Sequence, residues 1–191
     1  MPENEQKIIA IQPVEPYDTA KLRYLKDEIG RFFQRNVTIL DPISMAASNT
    51  TVNGEKFFNA DSVLNHLQKS ITTNIGEVIG ITHCPIYIRK SAKKYTPDLP
   101  FYDESLIGLA DVGGKCCIVS DNKFEIMDEL FSRARLRNAV LHEMGHNAGL
   151  DHCKNDSCIM SEKNAELKGF FRSSDNYCDD CNKRLSRTNV N

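Results

Sequence analysis

The stretch His142-Glu143-Met144-Gly145-His146-Asn147-Ala148-Gly149-Leu150-Asp151-His152 decides how the rest of this chain is read. Histidines four apart share one face of a helix, so the imidazoles of His142 and His146 can reach a single metal ion. Glu143 follows the first histidine and projects beside that ion rather than onto it. A carboxylate placed there can take a proton from an activated water. Gly149 falls where the helix should stop. Glycine tolerates the left-handed conformation that reverses a chain, and the reversal brings His152 back as a third ligand. Three protein ligands leave one position for water or substrate, the arrangement of a catalytic rather than a structural zinc. The bland alternative is a surface helix with accidental histidines. It suits a bare H-E-x-x-H far better than the pattern completed by a glycine and a third histidine.

Cys153 follows His152 directly, and Cys158, Cys178 and Cys181 complete a C-x4-C and a C-x-x-C pair. Such spacing suits a tetrahedral four-cysteine zinc site, closed to solvent ligands and therefore structural. Disulfides in an exported protein, or buried free thiols, are the alternatives. The cysteine count is odd, at 7. Residues 1–12 show no basic region followed by a long apolar run, so no signal peptide is expected and a reducing compartment is favoured. Residues 150–191 hold few apolar side chains, and a metal there would replace packing energy. The expected cofactors are two zinc ions per chain, one catalytic and one structural. Cys84, Cys116 and Cys117 sit in or beside apolar strands and read as packing residues. His66 and His83 lie outside the motif and read as surface or packing residues.

Working outward, residues 7–12 (KIIAIQ) read as a buried strand. Asp18 then caps a helix carrying Leu22, Leu25, Ile29 and Phe32 at helical spacing. Residues 37–40 form a second strand, 41–59 a loop, and Asp61 caps a helix with Leu64, Leu67 and Ile71. Residues 77–82 form a third strand. Residues 83–104, polar and punctuated by proline, read as a surface loop. Strands at 106–110 and 116–119 flank a glycine turn at 111–114. A long helix spans 125–147, and a short one begins near Cys178. The order implies an α+β fold with a mixed, twisted sheet and packed helices. It is expected as a single domain, 1–191, with an N-terminal lobe (1–149) that includes the active-site helix and a small zinc-stapled C-terminal lobe (150–191).

The composition is globular, 40% hydrophobic and 26% charged, with a net charge of -2. That charge gives no bulk attraction to nucleic acid or anionic membrane, and no apolar run is long enough to span a bilayer. Lys183, Arg184 and Arg187 could suggest nucleic-acid contact beside the four-cysteine unit. The acidic balance and the lack of interleaved aromatics favour a solvated helix face instead. A cytoplasmic monomer acting on a peptide or small protein is expected, with no nucleic-acid or membrane partner. A degenerate relative that binds peptides without cutting them is disfavoured by the presence of Glu143.

The run from His142 to Cys181 resembles the archaemetzincins, a branch of the metzincin zinc peptidases. Their pattern is H-E-x-x-H-x-x-G-x-x-H-C-x4-C-x-M, then seventeen residues, then C-x-x-C. Here His142, Glu143, His146, Gly149, His152, Cys153, Cys158, Met160, Cys178 and Cys181 keep every interval. Ile79-Gly80-Ile81-Thr82 and Ile107-Gly108-Leu109-Ala110 are similar to the strands that precede the helix in that family. The resemblance implies a compact metzincin-like fold with a mixed sheet above a horizontal cleft. It implies that Met160 is the Met-turn methionine, a hydrophobic floor beneath the histidines. It also implies intracellular residence, zinc peptidase activity and two zinc ions. Aminopeptidase or endopeptidase action and side-chain preference stay open.

Overall fold

The computed structural model describes residues 7–45, 56–91, 101–124, 127–161 and 175–188. Its strands are β1 (Ile8–Pro13), β2 (Val37–Ile39), β3 (Phe58–Asn59), β4 (Ile75–Thr82), β5 (Ile86–Ser91), β6 (Phe101–Leu106), β7 (Gly108–Ala110) and β8 (Cys116–Ser120). Its helices are α1 (Thr19–Phe33), α2 (Ala60–Leu67), α3 (Glu129–Asn147) and α4 (Asp179–Thr188).

β1 is apolar on both faces and almost wholly buried, as a strand covered on both sides by helices must be. It pairs in parallel with β2 and with β4, and β4 pairs in parallel with β8. β7 closes the sheet as an antiparallel edge, giving the order β2-β1-β4-β8-β7. Successive side chains of each strand then serve opposite cores. Ile9, Ile11, Ile79 and Cys117 pack against Leu22, Leu25 and Ile29 of α1 and Leu136, Val140 and Met144 of α3. Ala10, Val78, Cys116 and Ile118 pack against Val63, Leu64 and Leu67 of α2. The α+β architecture with mixed sheets is the one expected.

Local differences have local causes. The cap of α2 is Asn59, whose side chain accepts from Ser62 N at 3.0 Å, rather than Asp61. Asp61 lies in the first turn, where its carboxylate still complements the helix dipole. α3 starts at Glu129 because Asp128 caps it, accepting from Phe131 N at 3.1 Å. The expected loop at 83–104 holds the antiparallel pair β5–β6, which forms a second sheet in the order β3-β5-β6. Ile86, Ile88 and Leu106 mark its inward face, but charged side chains on the other face and Pro85 obscure the alternation. The expected strand at 106–110 breaks at Ile107, because β6 belongs to the second sheet and β7 to the first. Most of the expected loop at 41–59 lies outside the described residues.

Asp121, just past the end of β8, locks α1 to the sheet. Its carboxylate is fully buried and accepts from the Tyr17 hydroxyl at 2.6 Å and the Lys21 ammonium at 2.5 Å. His83 Nδ1 lies 3.0 Å from its other oxygen. Burial and this carboxylate hold the Tyr17 hydroxyl protonated, well above the usual phenol range. Removing one member of a buried pair strands the other. Asp121→Ala is therefore expected to cost roughly 3–5 kcal/mol in urea unfolding, with part recovered by adding Lys21→Met. A loss near that of an ordinary surface substitution would show that the lock does not hold the fold.

Candidate active site

α3 shows little amphipathic pattern because it is buried nearly all round from Leu136 to Gly145. Its end is a Schellman turn. Leu150 N donates to Gly145 O at 2.9 Å and Gly149 N to His146 O at 2.8 Å, with Gly149 at φ 85°. That turn returns Leu150 beneath the helix, and the chain then passes through His152.

Two backbone carbonyls from this returning segment orient the helix histidines. His142 Nδ1 lies 2.8 Å from Ile159 O, and His146 Nδ1 lies 2.8 Å from Leu150 O. A carbonyl only accepts, so each Nδ1 carries the proton and each Nε2 presents a lone pair. These two Nε2 atoms are 3.2 Å apart. Lone pairs at that distance repel unless a cation lies between them. Tetrahedral zinc at about 2.0–2.1 Å from each nitrogen would separate them by about 3.3–3.4 Å. The rings of His142 and His146 lie 5.3 and 4.9 Å from that of His152, and ligand atoms of all three fall within 4.8 Å of one another. Burial pushes His142 down to about 4 and lowers His146 as well, which keeps both neutral and able to ligate. The donor set fits zinc.

Glu143 is buried beside them, and desolvation raises its carboxyl to about 8. A bound cation would draw that value back down. The carboxylate sits against the backbone of Gly108, where an added Cβ would lie 2.5 Å from Oε1. Gly145 plays the matching part below: a Cβ there would collide with Met160 Sδ, so glycine lets Met160 press against the underside of α3. Tyr177, which no sequence pattern singles out, donates from its hydroxyl to Leu141 O at 2.5 Å. It packs in one core with Leu150, Ile159, Met160 and Leu185.

The Sγ atoms of Cys153, Cys158, Cys178 and Cys181 fall within 4.8 Å of one another, and none of the four is in a disulfide. Cys153 and Cys178 are 3.9 Å apart at sulfur, close to the roughly 3.8 Å that a tetrahedral zinc with bonds of about 2.3 Å imposes. Backbone amides of Asn155 and Cys178 donate to Cys153 and Cys158 at 3.4 and 3.3 Å. This set fits zinc also. Cys116 and Cys117 are buried in β8, with Cys116 pushed up to about 11 by burial, and serve as packing.

A cleft of about 320 Å³ opens over the three histidines and Glu143. β7 forms one wall, with Ile88 and Leu106 of the β5–β6 pair beyond it. β7 is at the sheet edge and β8 is interior, so β7 is the strand of the main sheet that borders the cleft.

Neutral imidazoles whose lone pairs converge next to a buried carboxylate, at the edge of a sheet, are the working parts of a zinc metallopeptidase. Comparison with known proteins narrows that class. Residues 86–187 match the model for Peptidase family M54. An archaemetzincin of Methanocaldococcus jannaschii is 32% identical over 181 residues, covering 93% of this chain and 92% of that protein. The chain therefore belongs to peptidase family M54, the archaemetzincins. The crystal structure of an archaemetzincin from Methanopyrus kandleri superposes with a TM-score of 0.78 at 20% identity, over 100% of this chain and 99% of that one. One from Archaeoglobus fulgidus gives 0.72 at 22% identity, over 93% and 99%. Both share the fold.

The contact between Gly108 and Glu143 makes a test. Gly108→Ala is expected to displace the carboxylate and lower kcat/KM on a peptide substrate by about 10²-fold, the scale of misplacing a group in a site by about 1 Å. The thermal midpoint should barely move. Retained kcat/KM would show that Glu143 has room to spare.

Proposed function

We propose that this chain hydrolyses peptide bonds with His142, His146 and His152 holding a catalytic zinc and Glu143 as general base. The observation that carries the reading is the pair of Nε2 lone pairs, 3.2 Å apart, facing a common point beside Glu143. Bound there, zinc supplies Lewis acidity, lowering the pKa of water to about 7 and polarising the substrate carbonyl. The carbonyls of Ile159 and Leu150 hold the imidazoles in the ligating tautomer. Glu143 takes the proton of the attacking water and delivers it to the leaving amine. Burial alone raises the carboxyl, and a bound cation would draw it back down and leave it ionised to take that proton. The substrate lies extended along β7, whose outer edge offers backbone groups for strand addition. Met160 and Gly149 support the site, one from below and one by turning the chain.

Cys153, Cys158, Cys178 and Cys181 hold the second, structural zinc in the same proposal, giving two ions per chain. They staple residues 150–191 as a small lobe against the lobe formed by 1–149, within one domain. A cytoplasmic monomer completes the reading, without nucleic-acid or membrane partners. No helix among the described residues is long and apolar enough to cross a membrane.

Glu143→Gln keeps the shape of the side chain and removes the base. A loss of roughly 10²–10⁴ in kcat is expected, with zinc content unchanged by metal analysis. Wild-type turnover in the purified variant would exclude Glu143 from the proton transfer.

The two metal sites should also be coupled. Ile159, whose carbonyl orients His142, lies between Cys158 and Met160, and Cys153 is bonded to His152. Cys178→Ser is therefore expected to weaken zinc binding at the three histidines by about 10–100-fold, the usual consequence of losing an orienting partner. Competitive titration against a calibrated chelator measures it. Unchanged affinity in a variant that lacks the structural zinc would make the sites independent.

A further inference from the structure

The far end of the cleft carries a charge arrangement that the chemistry at the histidines does not use. In the β5–β6 pair, Ile86 lies opposite Leu106 and Ile88 opposite Glu104. Side chains alternate along a strand, so Ile88, Lys90, Glu104 and Leu106 share one face. That face lines the cleft. The opposite face carries the exposed Arg89–Asp103 pair. Near the histidines the wall is apolar, formed by Ile88, Leu106, Ile107 and Leu109. It ends at Lys90 and Glu104, which pair at 2.5 Å with both side chains still partly exposed, at 45% and 41%.

The balance of charge there is positive. Lys123 donates to Ser105 O at 3.3 Å; burial lowers its pKa, and Glu104 is near enough to oppose that shift by favouring the charged form. Glu104 thus has two lysines near it. If an arriving carboxylate takes Lys90, Glu104 keeps Lys123. An arriving ammonium that took Glu104 would instead sit among two lysines. The chain direction places the carboxylate relative to the cut. Glu143 lies against Gly108, at the start of β7, and Leu106 precedes β7. A peptide added antiparallel to β7, the more stable pairing, runs its C-terminal side toward the β5–β6 pair.

We propose that Lys90, with Glu104 and Lys123 behind it, selects peptide substrates bearing a carboxylate C-terminal to the scissile bond. The carboxylate is either an acidic side chain or the free C-terminus, reached across an apolar stretch of cleft. This selection rests on the peptidase reading above.

The test uses zinc-loaded full-length protein and internally quenched peptides of one neutral, amidated sequence. A single Glu, Gln or Lys is stepped through positions on both sides of the cut, and one further peptide ends in a free carboxylate. kcat/KM is measured on the wild type, and Kd by fluorescence anisotropy on Glu143→Gln. Glu should be preferred over Gln by about fivefold at a position C-terminal to the cut, the scale of a partly exposed ion pair. Lys90→Gln should erase the ratio, Lys90→Glu should turn it toward Lys, and Lys90→Arg should keep it. Circular dichroism confirms that each variant is folded. If only the free C-terminus is favoured, the carboxylate is the terminal one and the enzyme trims from that end. A ratio near one, a ratio indifferent to Lys90→Gln, or a preference confined to the N-terminal side overturns the proposal. If no peptide is cut, the peptidase reading fails, and the Kd series still decides the charge selection by the same ratios.

Discussion

Two hydrogen bonds, from His142 Nδ1 to Ile159 O and from His146 Nδ1 to Leu150 O, constrain everything around the site. Each places a proton on Nδ1, which frees Nε2 to bind metal. Both acceptors come from chain that follows Gly149, so the helix cannot orient its own histidines. The chain must turn sharply after Asn147, pass beneath α3 and stay there. The Schellman turn at Gly149 provides the reversal. The bond from Tyr177 to Leu141 O and the apolar cluster of Leu150, Ile159, Met160 and Leu185 keep the returning segment in place. The cysteine cluster brackets that segment at Cys153, Cys158, Cys178 and Cys181.

Close approach has a steric requirement, which two glycines meet. Gly145 lies inside the H-E-x-x-H run itself, at a position the motif leaves free, yet the presence of Met160 excludes a side chain there. Gly108 has the same role on the opposite side of the helix, where the sheet edge nearly touches Glu143. The Glu143 carboxylate is thus held between a strand backbone and the helix that bears it. Little of it reaches solvent, and this desolvation is what raises its proton affinity.

The parts of this architecture that were legible in the sequence are those in which chemistry dictates residue type at fixed spacing. The histidines, Gly149 and the paired cysteines could be read directly. So could β1, β4 and β8, whose unbroken apolar runs report burial on both faces. The β5–β6 pair could not, because it is covered on one face only and its outer face is charged. Its alternation is short, starts at a proline and competes with a polar composition that resembles a loop. α3 starts at Glu129, later than the helical composition from 125 suggests, because Asp128 caps it through a local hydrogen bond from Phe131 N. Tyr177 and Gly108 carry no pattern at all. Their importance lies in what each touches across long sequence separations.

The break at Ile107 ties these levels together. Had β6 and β7 formed one continuous strand, as their composition suggests, the sheet edge would run straight past the helix and leave no enclosed space above the histidines. Instead the chain leaves the second sheet at Leu106 and enters the first at Gly108. One residue separates the element that lies against Glu143 from the element that walls the cleft. α3 and the segment returning beneath it are fixed by burial and by carbonyl acceptors. The cleft wall beyond β7 is a two-stranded ribbon with one solvated face. On its cleft face Ile86, Ile88 and Leu106 pack into the core beside α2, while Lys90 and Glu104 at its far end stay partly exposed. The ribbon and the helix meet at Gly108, whose lack of a side chain leaves room for Glu143.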